Sequence, residues 1–466
     1  MRNRFLLSAL LFQGALLPVL AQTSYDVFPV MEQELEGTAR YIGMGGAMGA
    51  FGSDLSVISR NPAGIGTYHD NDASISLAFS GSNTGMVNPG TLQAGAGNIS
   101  YSGDLCRSDL LFYLQNISSV AVMPVNGSSL KYVNFALSYH RMRDMERSLR
   151  YFDEYHEAGK PVEYRDLADD QSIRINAFDF NVSFNHNDRF YWGATLERQR
   201  VNVYTSGHFY HYFPVPAGQE AEDYTSVDRA NELVGTGWNF KMGMIARPGA
   251  GGLRFGLSFS TPTFYRLEHT YYDKLYAIEG EKKDAKKFSQ TAFYNLSSPW
   301  VVNASFGYSG KFTAIGIEYD CNIADRTTMR EGNYMMRTQG GYKDFRTFSS
   351  VRIGIETNVS KISLRCGYNH TFPMFRENAA KYLGDTDFNK ERMDLNYENI
   401  KGSDTFTFGA GYCSKPGSLG QFYVDAAYMY NWRNSELYLG EYPKVDPVTD
   451  YQTGSGKLVL TLGVLF

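Results

Sequence analysis

Apolar and polar residues alternate strictly over many short stretches of this chain. Phe178, Phe180, Val182 and Phe184 interleave with Asp179, Asn181, Ser183 and Asn185. Trp238, Phe240, Met242 and Met244 interleave with Asn239, Lys241 and Gly243, and Val351, Ile353 and Ile355 with Arg352, Gly354 and Glu356. Phe406, Phe408, Ala410 and Tyr412 alternate with Thr407, Gly409 and Gly411. Phe422, Val424, Ala426, Tyr428, Tyr430 and Trp432 form a further stripe opposite Asp425 and Asn431. A period of two puts each apolar set on one face of a strand. Sustained over about ten residues, it is the pattern of a barrel strand with one face in lipid.

A water-soluble sandwich alternates too, and the connections separate the two. Counting back from the C-terminus, the joints alternate short and long. Short turns fall near 415–420, 358–361, 309–311, 247–252, 185–189 and 126–129. Long polar loops fall near 144–171, 206–231, 268–298, 322–347, 371–403 and 433–456, with a shorter first excursion over 80–108. Short periplasmic turns and long external loops are the asymmetry of bacterial barrels. The strands are expected at 72–80, 109–125, 130–143, 172–186, 189–205, 232–246, 253–267, 299–308, 312–321, 348–357, 362–370, 404–413, 421–432 and 457–466. The fold class is thus all-β, a transmembrane antiparallel barrel of about 14 strands, an even number as such barrels require. Both chain ends then lie on the periplasmic side.

The two ends sharpen this reading. Arg2 and Arg4 precede an apolar run over 5–20, and Ala21 offers a small residue for cleavage. That is a secretory signal peptide over 1–21, with the mature chain expected to start at Gln22. The run is short and interrupted for a spanning helix, and no Cys at the cleavage point offers a lipid anchor. At the other end, Leu458, Leu460, Leu462, Val464 and Phe466 share one face. A terminal strand closing on an aromatic residue resembles the last strand of outer-membrane barrels, the part expected to meet the barrel-assembly machinery. The expected organisation is signal peptide 1–21, a Gly-rich hatch over 22–70 and the barrel over 71–466, in the cell outer membrane.

Composition changes little but excludes several classes. Aromatic residues make up 15% of the 466, with 34 Tyr and 31 Phe, which suits interfacial girdles. A formal net charge of -5 argues against a nucleic-acid partner. Cys106, Cys321, Cys366 and Cys413 are widely spaced with no metal-ligand pattern. Export permits a disulfide, but none is expected. No cofactor or metal is expected either. His208 and His211 suggest metal or haem ligation only weakly, as an i,i+3 pair in an exposed loop. No Gly-x-Ser-x-Gly elbow or evident Ser/His/Asp grouping supports an enzyme.

Residues 37–52 read GTARYIGMGGAMGAFG, and 59–66 read SRNPAGIG. A phosphate-cradling loop fails on spacing, because position 48 is Met where the third glycine belongs. Glycine serves better here for close packing and turns within a compact plug. Residues 54–59 suit a short helix, stopped by Asn61 and Pro62.

At this point the chain resembles the FadL/TodX-type outer-membrane transporters of hydrophobic compounds. The resemblance rests on Asn61-Pro62-Ala63-Gly64 closing the Gly-rich stretch, on the hairpin 238–264 with LRFGLSFSTPTF at 253–264, and on the late strands 352–368 and 406–428. It implies a 14-stranded barrel with an N-terminal hatch. It further implies capture of a hydrophobic or amphipathic solute such as a long-chain fatty acid, and passive sideways release into the bilayer through a gap in the wall. The implied partners are that solute, outer-membrane lipid and lipopolysaccharide, around a monomer. Asn61, Pro62, Ala63 and Gly64 are the candidate hatch residues; a plain helix stop is the competing reading. Inward-facing Lys241, Arg352, Glu356 and Arg365, with Asp179, Glu197, Glu318 and Asp425, would either guide a polar head group or, more in keeping with buried charge, pair to brace the wall. The alternatives are a surface binding protein or adhesin using long loops, a haem-binding protein, or a general porin.

Overall fold

The structure, a computed structural model, describes residues 24–466 except 33, 87–90, 95–96, 104–105, 127–128, 158–161, 214–222, 250, 280–281, 332–333, 336–344, 377–396, 419 and 439–448. The signal peptide expected over 1–21 lies outside the described residues. Fourteen antiparallel strands close into a barrel. They are β1 Asp72–Met86, β2 Leu111–Pro124, β3 Leu130–Glu157, β4 Glu163–His186, β5 Phe190–Phe213 and β6 Asp223–Ala246. β7 runs in two parts, Leu253–Ser260 and Phe264–Glu279, and β8 in two, Lys282–Ser297 and Trp300–Ser309. β9 Thr313–Ile323, β10 Phe348–Val359, β11 Ile362–Thr371, β12 Tyr397–Cys413, β13 Gln421–Tyr438 and β14 Thr449–Leu465 complete the order. β14 pairs back onto β1 from Asp72↔Leu465 to Met86↔Tyr451, which removes both sheet edges. The breaks in β7 and β8 fall at Pro262 and Pro299, where the ladder lacks an N–H.

The alternation resolves as the sequence pattern requires. Phe240, Met242, Phe408, Tyr428 and Leu462 point outward and exposed, while Asn239, Lys241, Thr407 and Thr461 are buried inside. The outer face is therefore a continuous apolar surface and the inner face a polar one.

The long polar segments differ from expectation. The sequence pattern predicts a loop over 144–171, but the ladder continues into it as Arg147↔Gln171 to Tyr155↔Glu163. Residues 206–213 and 223–231 likewise extend β5 and β6, and 268–279 and 282–297 extend β7 and β8. The reason is physical. Only the lipid-facing part of a strand needs alternating apolar residues, whereas backbone pairing continues wherever both strands remain extended. This also moves His208 and His211 from a loop onto β5, on opposite faces of the strand. The exposed His208 ring lies against Tyr210, and buried His211 pairs with Glu163 at 3.1 Å. Two side chains on opposite faces cannot chelate one ion.

Residues 24–70 run within the ring of strands. Helix α1, Ser24–Met31, packs Val27 and Met31 against Ile173, Val201, Leu233 and Tyr265 of the wall. Helix α2, Ala39–Gly43, is capped by Thr38, whose hydroxyl accepts from the Tyr41 N–H. Two 3₁₀ turns follow, Leu55–Ser59 capped by Asp54 and Pro62–Thr67 capped by Asn61.

Candidate functional site

The inner segment meets the wall through glycine. Gly307, Gly316, Gly354 and Gly367 are direct cross-strand neighbours on β8 to β11. A Cβ at Gly354 would lie 2.2 Å from the Met44 carbonyl oxygen, and one at Gly316 would lie 2.2 Å from that of Ala47. Backbone therefore rests on backbone, which no larger side chain permits. The sequence pattern marked Gly354 as inward but gave no hint that the four form a row.

A second close approach holds Asn61, Pro62, Ala63 and Gly64. Asn61 is fully buried, and its Nδ2 donates to the Gly49 carbonyl at 2.8 Å and to that of Met244 on β6 at 3.2 Å. Its Oδ1 accepts from the Ala63 N–H at 3.2 Å. The Pro62 carbonyl accepts from Ser183 on β4 at 2.7 Å, and a Cβ at Gly193 would sit 2.7 Å from it. Ala63 packs against Tyr191 and Ile245. The Gly64 carbonyl accepts from the Thr67 hydroxyl at 2.7 Å. These residues form a joint between segment and wall and line neither cavity described below.

The four inward polar candidates all face acids or bases. Lys241 Nζ lies 2.5 Å from Glu197 and donates to the Ser59 carbonyl at 3.0 Å. Arg352 bridges Glu318 at 3.1 Å and Asp320 at 2.5 Å, and Arg60 of the inner segment joins Asp320 at 3.2 Å. Glu356 takes Arg40 of α2 at 3.0 Å and Arg365 at 2.6 Å, and Arg365 also pairs with Asp425. The charges thus tie the segment to β6, β9 and β10, and Arg365 on β11 braces Glu356 from the wall.

Sequence reasoning missed Glu32 and Glu36 on the segment and Arg143, Arg433 and Lys457 on the wall. Arg143 pairs with Glu32 at 2.5 Å and Glu34 at 3.2 Å, Arg433 with Glu32, and Lys457 with Glu36. Burial pushes the Glu36 carboxyl up to about 7 against the opposing pull of Lys457. No local signal marks these pairs, because each joins residues more than a hundred positions apart.

Against the segment lies a cavity of about 1130 Å³, part of it open, with apolar walls from Phe28, Leu35, Leu111, Met145 and Phe348 and a charged lining in which Glu32, Glu34, Asp144 and Glu146 accompany Arg147, Arg433 and Lys457. It reaches a lapse in the wall. The β2–β3 ladder runs from Pro124↔Tyr132 to Asn116↔His140 and stops, although β2 extends back to Leu111 and β3 on to Glu157. At that point β2 bulges: Ser76 faces Asn116 and Leu77 faces Leu114, leaving Gln115 as the extra residue. Gln115 is buried, and its Nε2 donates to the Arg141 carbonyl at 3.0 Å. Leu111 on one edge and 144–147 on the other both line the cavity. Leu110 and Phe112 stand exposed beside the seam. A second, more polar chamber of about 1020 Å³, part of it open, lined by Arg60, His140, Glu197 and Lys241 among others, lies beside the 3₁₀ turns.

No family model matches the chain, and no curated protein matches it. Among solved structures it is similar to a Pseudomonas aeruginosa FadL homologue, with 13% identity and a TM-score of 0.59 over 93% of this chain and 99% of that one. It is also similar to the Pseudomonas putida toluene transporter TodX, at 11% identity and a TM-score of 0.54 over 93% and 99%. The Ralstonia pickettii toluene transporter TbuX follows at 12% and 0.50 over the same shares. The barrel is of the FadL type.

Proposed function

We propose that this chain is an outer-membrane channel for passive passage of hydrophobic or amphipathic compounds, with residues 22–70 as its plug. The observation that carries the reading is the seam: a cavity with apolar walls runs up to the stretch where the β2–β3 ladder lapses at Gln115. An apolar solute gains by leaving water for such a cavity. Packed segment and ion pairs obstruct the straight path through the lumen, so the low-cost exit is sideways into hydrocarbon. The apolar outer belt fits a bilayer, and the similarity to a FadL homologue and to toluene transporters supports the same class. Within that class, the cavity joins apolar walls to a lining of both acids and bases, Arg433 paired with Glu32 among them, which suits an amphipathic solute, and a long-chain fatty acid is the one to test.

The test is uptake in a strain lacking its own channel of this kind. Expression should give saturable uptake of a long-chain fatty acid. Deleting Gln115 removes the bulge and lets the ladder continue, so uptake should fall while the heat-modifiable band persists. A gain in small hydrophilic sugars instead would indicate a porin, and no change in either would indicate a surface binding protein. Haem belongs in the same assay, and its uptake without fatty-acid uptake would reassign the substrate.

A further inference from the structure

One row of inward side chains lies apart from the seam and beside the polar chamber, and it shares only Glu197 with the pairs already described. Ser138 on β3 faces Asp179 on β4, Asp179 faces Glu197 on β5, and Glu197 faces Asn239 on β6. His140 lies two residues beyond Ser138 on the same inward face. Glu197 is well supplied: Lys241 pairs with it at 2.5 Å, and the amides of Gln199 and Asn239 each donate to it at 2.6 Å. Asp179 is not. It is fully buried, and neither carboxylate oxygen accepts a hydrogen bond. His140 Nδ1 lies 3.4 Å from its Oδ2, without hydrogen-bond alignment. The Ser138 hydroxyl across the ladder is engaged with Ser118 at 2.7 Å. A buried carboxylate without a donor needs a proton or a cation.

We propose that His140, Asp179 and Glu197 form a binding site for one divalent first-row transition-metal ion within the barrel wall. Their ligand atoms, one imidazole nitrogen and two carboxylate oxygens, lie within 4.8 Å of one another. Bonds of about 2.0–2.2 Å to a shared ion place neighbouring ligands roughly 3–3.5 Å apart. The His140–Asp179 separation of 3.4 Å already meets that spacing, and Glu197 lies within the same 4.8 Å group. The mixed nitrogen and oxygen donors suit zinc, cobalt or iron(II) better than calcium or magnesium, which take mainly oxygen. Access is present, because His140 and Glu197 both line the polar chamber. Lys241 holds one oxygen of Glu197 and opposes the ion electrostatically, and the amides of Gln199 and Asn239 hold the other, so the ion binds by displacing one of these donors. The bound ion would clamp β3, β4 and β5 together next to the 3₁₀ turns, where Thr195 on β5 donates to the Ile58 carbonyl at 3.4 Å. The site is independent of the channel reading and departs from the sequence expectation of no metal.

The test uses the tag-free mature protein in detergent after chelator treatment, titrated with Co²⁺ by visible absorption and with Zn²⁺ by calorimetry. One site per chain is expected, and Zn²⁺ should raise the unfolding temperature. Asp179→Asn, which keeps the shape of the side chain, should weaken that site on the order of 100-fold, with the heat-modifiable band retained. His140→Gln should do the same, and it carries the test by itself if Asp179→Asn does not fold. Weak adventitious binding at exposed pairs such as His156–Glu154 would survive both substitutions. Unaltered binding in a folded variant overturns the proposal. So does a parent protein that takes up no metal at millimolar Co²⁺, which would make Asp179 a protonated carboxyl.

Discussion

Two stretches of the same wall treat the inner segment in opposite ways. Along β8 to β11 the wall gives up side chains in the row Gly307, Gly316, Gly354 and Gly367, so that the backbone of residues 44–47 and the Phe51 ring lie directly on the strands. Between β2 and β3 the wall gives up backbone pairing instead, and a cavity replaces contact. Barrel closure needs neither feature. The sheet meets the segment closely on one side and leaves space on the other, an asymmetry that the proposed plugged channel with a lateral exit would need.

The sharpest way to break this contrast is to put a side chain where the wall has none. Gly354→Val brings its Cβ to about the 2.2 Å that separates that position from the Met44 carbonyl oxygen, and backbone cannot yield as a side chain does. Overpacking of this kind costs about 3 kcal/mol or more. The segment should leave the wall, and planar-bilayer conductance should rise steeply. The matching control is Gly81→Ala at the cavity edge, where a Cβ meets only Leu110 at 3.9 Å. Equal effects from the two substitutions would erase the distinction between the two sides.

Charge holds the same side. Glu356→Gln leaves Arg40 and Arg365 facing a neutral amide in a buried setting. Breaking a buried pair from one partner costs about 3 kcal/mol. The expected outcome is a lower urea midpoint and intermittent openings in single-channel records. Unchanged records would mean that the glycine row holds the segment without help from charge.

The strands were legible because lipid on one side and a polar lumen on the other impose a period of two over β4, β6, β10, β12 and β13. Their extensions were not, because beyond the lipid neither face is selected for apolarity, as 147–155 illustrates. Individual inward charges such as Arg352 and Glu356 could be read from their place in the stripe. Arg40, which pairs with Glu356, and Arg60, which joins Arg352 at Asp320, could not, since pairing depends on where the segment lies in three dimensions. The seam was least legible of all. Gln115 is an ordinary residue, and only the register of both neighbours exposes it as a bulge. The grouping of His140, Asp179 and Glu197 across three strands was hidden for the same reason.

A smaller effect is expected at the joint. Asn61→Ala removes the side-chain cap of the Pro62–Thr67 turn and the donor to the Gly49 and Met244 carbonyls. A lost cap with unpaired acceptors costs about 2 kcal/mol. The barrel should still fold, and proteolysis within residues 55–67 should quicken. Asn61→Asp keeps the cap acceptor but not the donor and should fall between parent and Ala. If it matches the parent, the bonds to Gly49 and Met244 contribute little.

The smallest effect belongs to the segment's exposed anchor, at the short-turn end. His69 lies 3.0 Å and Lys131 2.7 Å from Asp188, and the Asn185 amide donates to it at 2.8 Å. Partial burial would raise the Asp188 carboxyl, but the bonds from Lys131, Asn185 and His69 outweigh it and hold the group well below the usual carboxylate range. A carboxyl depressed in the folded state stabilises above its unfolded value of about 4, and that contribution is lost as pH falls through the folded value. Solvent screens this site, so Asp188→Asn should lower the urea midpoint by only about 0.3 M at pH 7. The difference from the parent should shrink steadily below about pH 4. High salt at pH 7 should shrink it as well, which Gly354→Val and Asn61→Ala, having no charge at stake, should not show. A loss at Asp188 as large as that at Glu356 would mean that the segment is held mainly from its exposed end, and the contrast between the two sides of the wall would then be secondary.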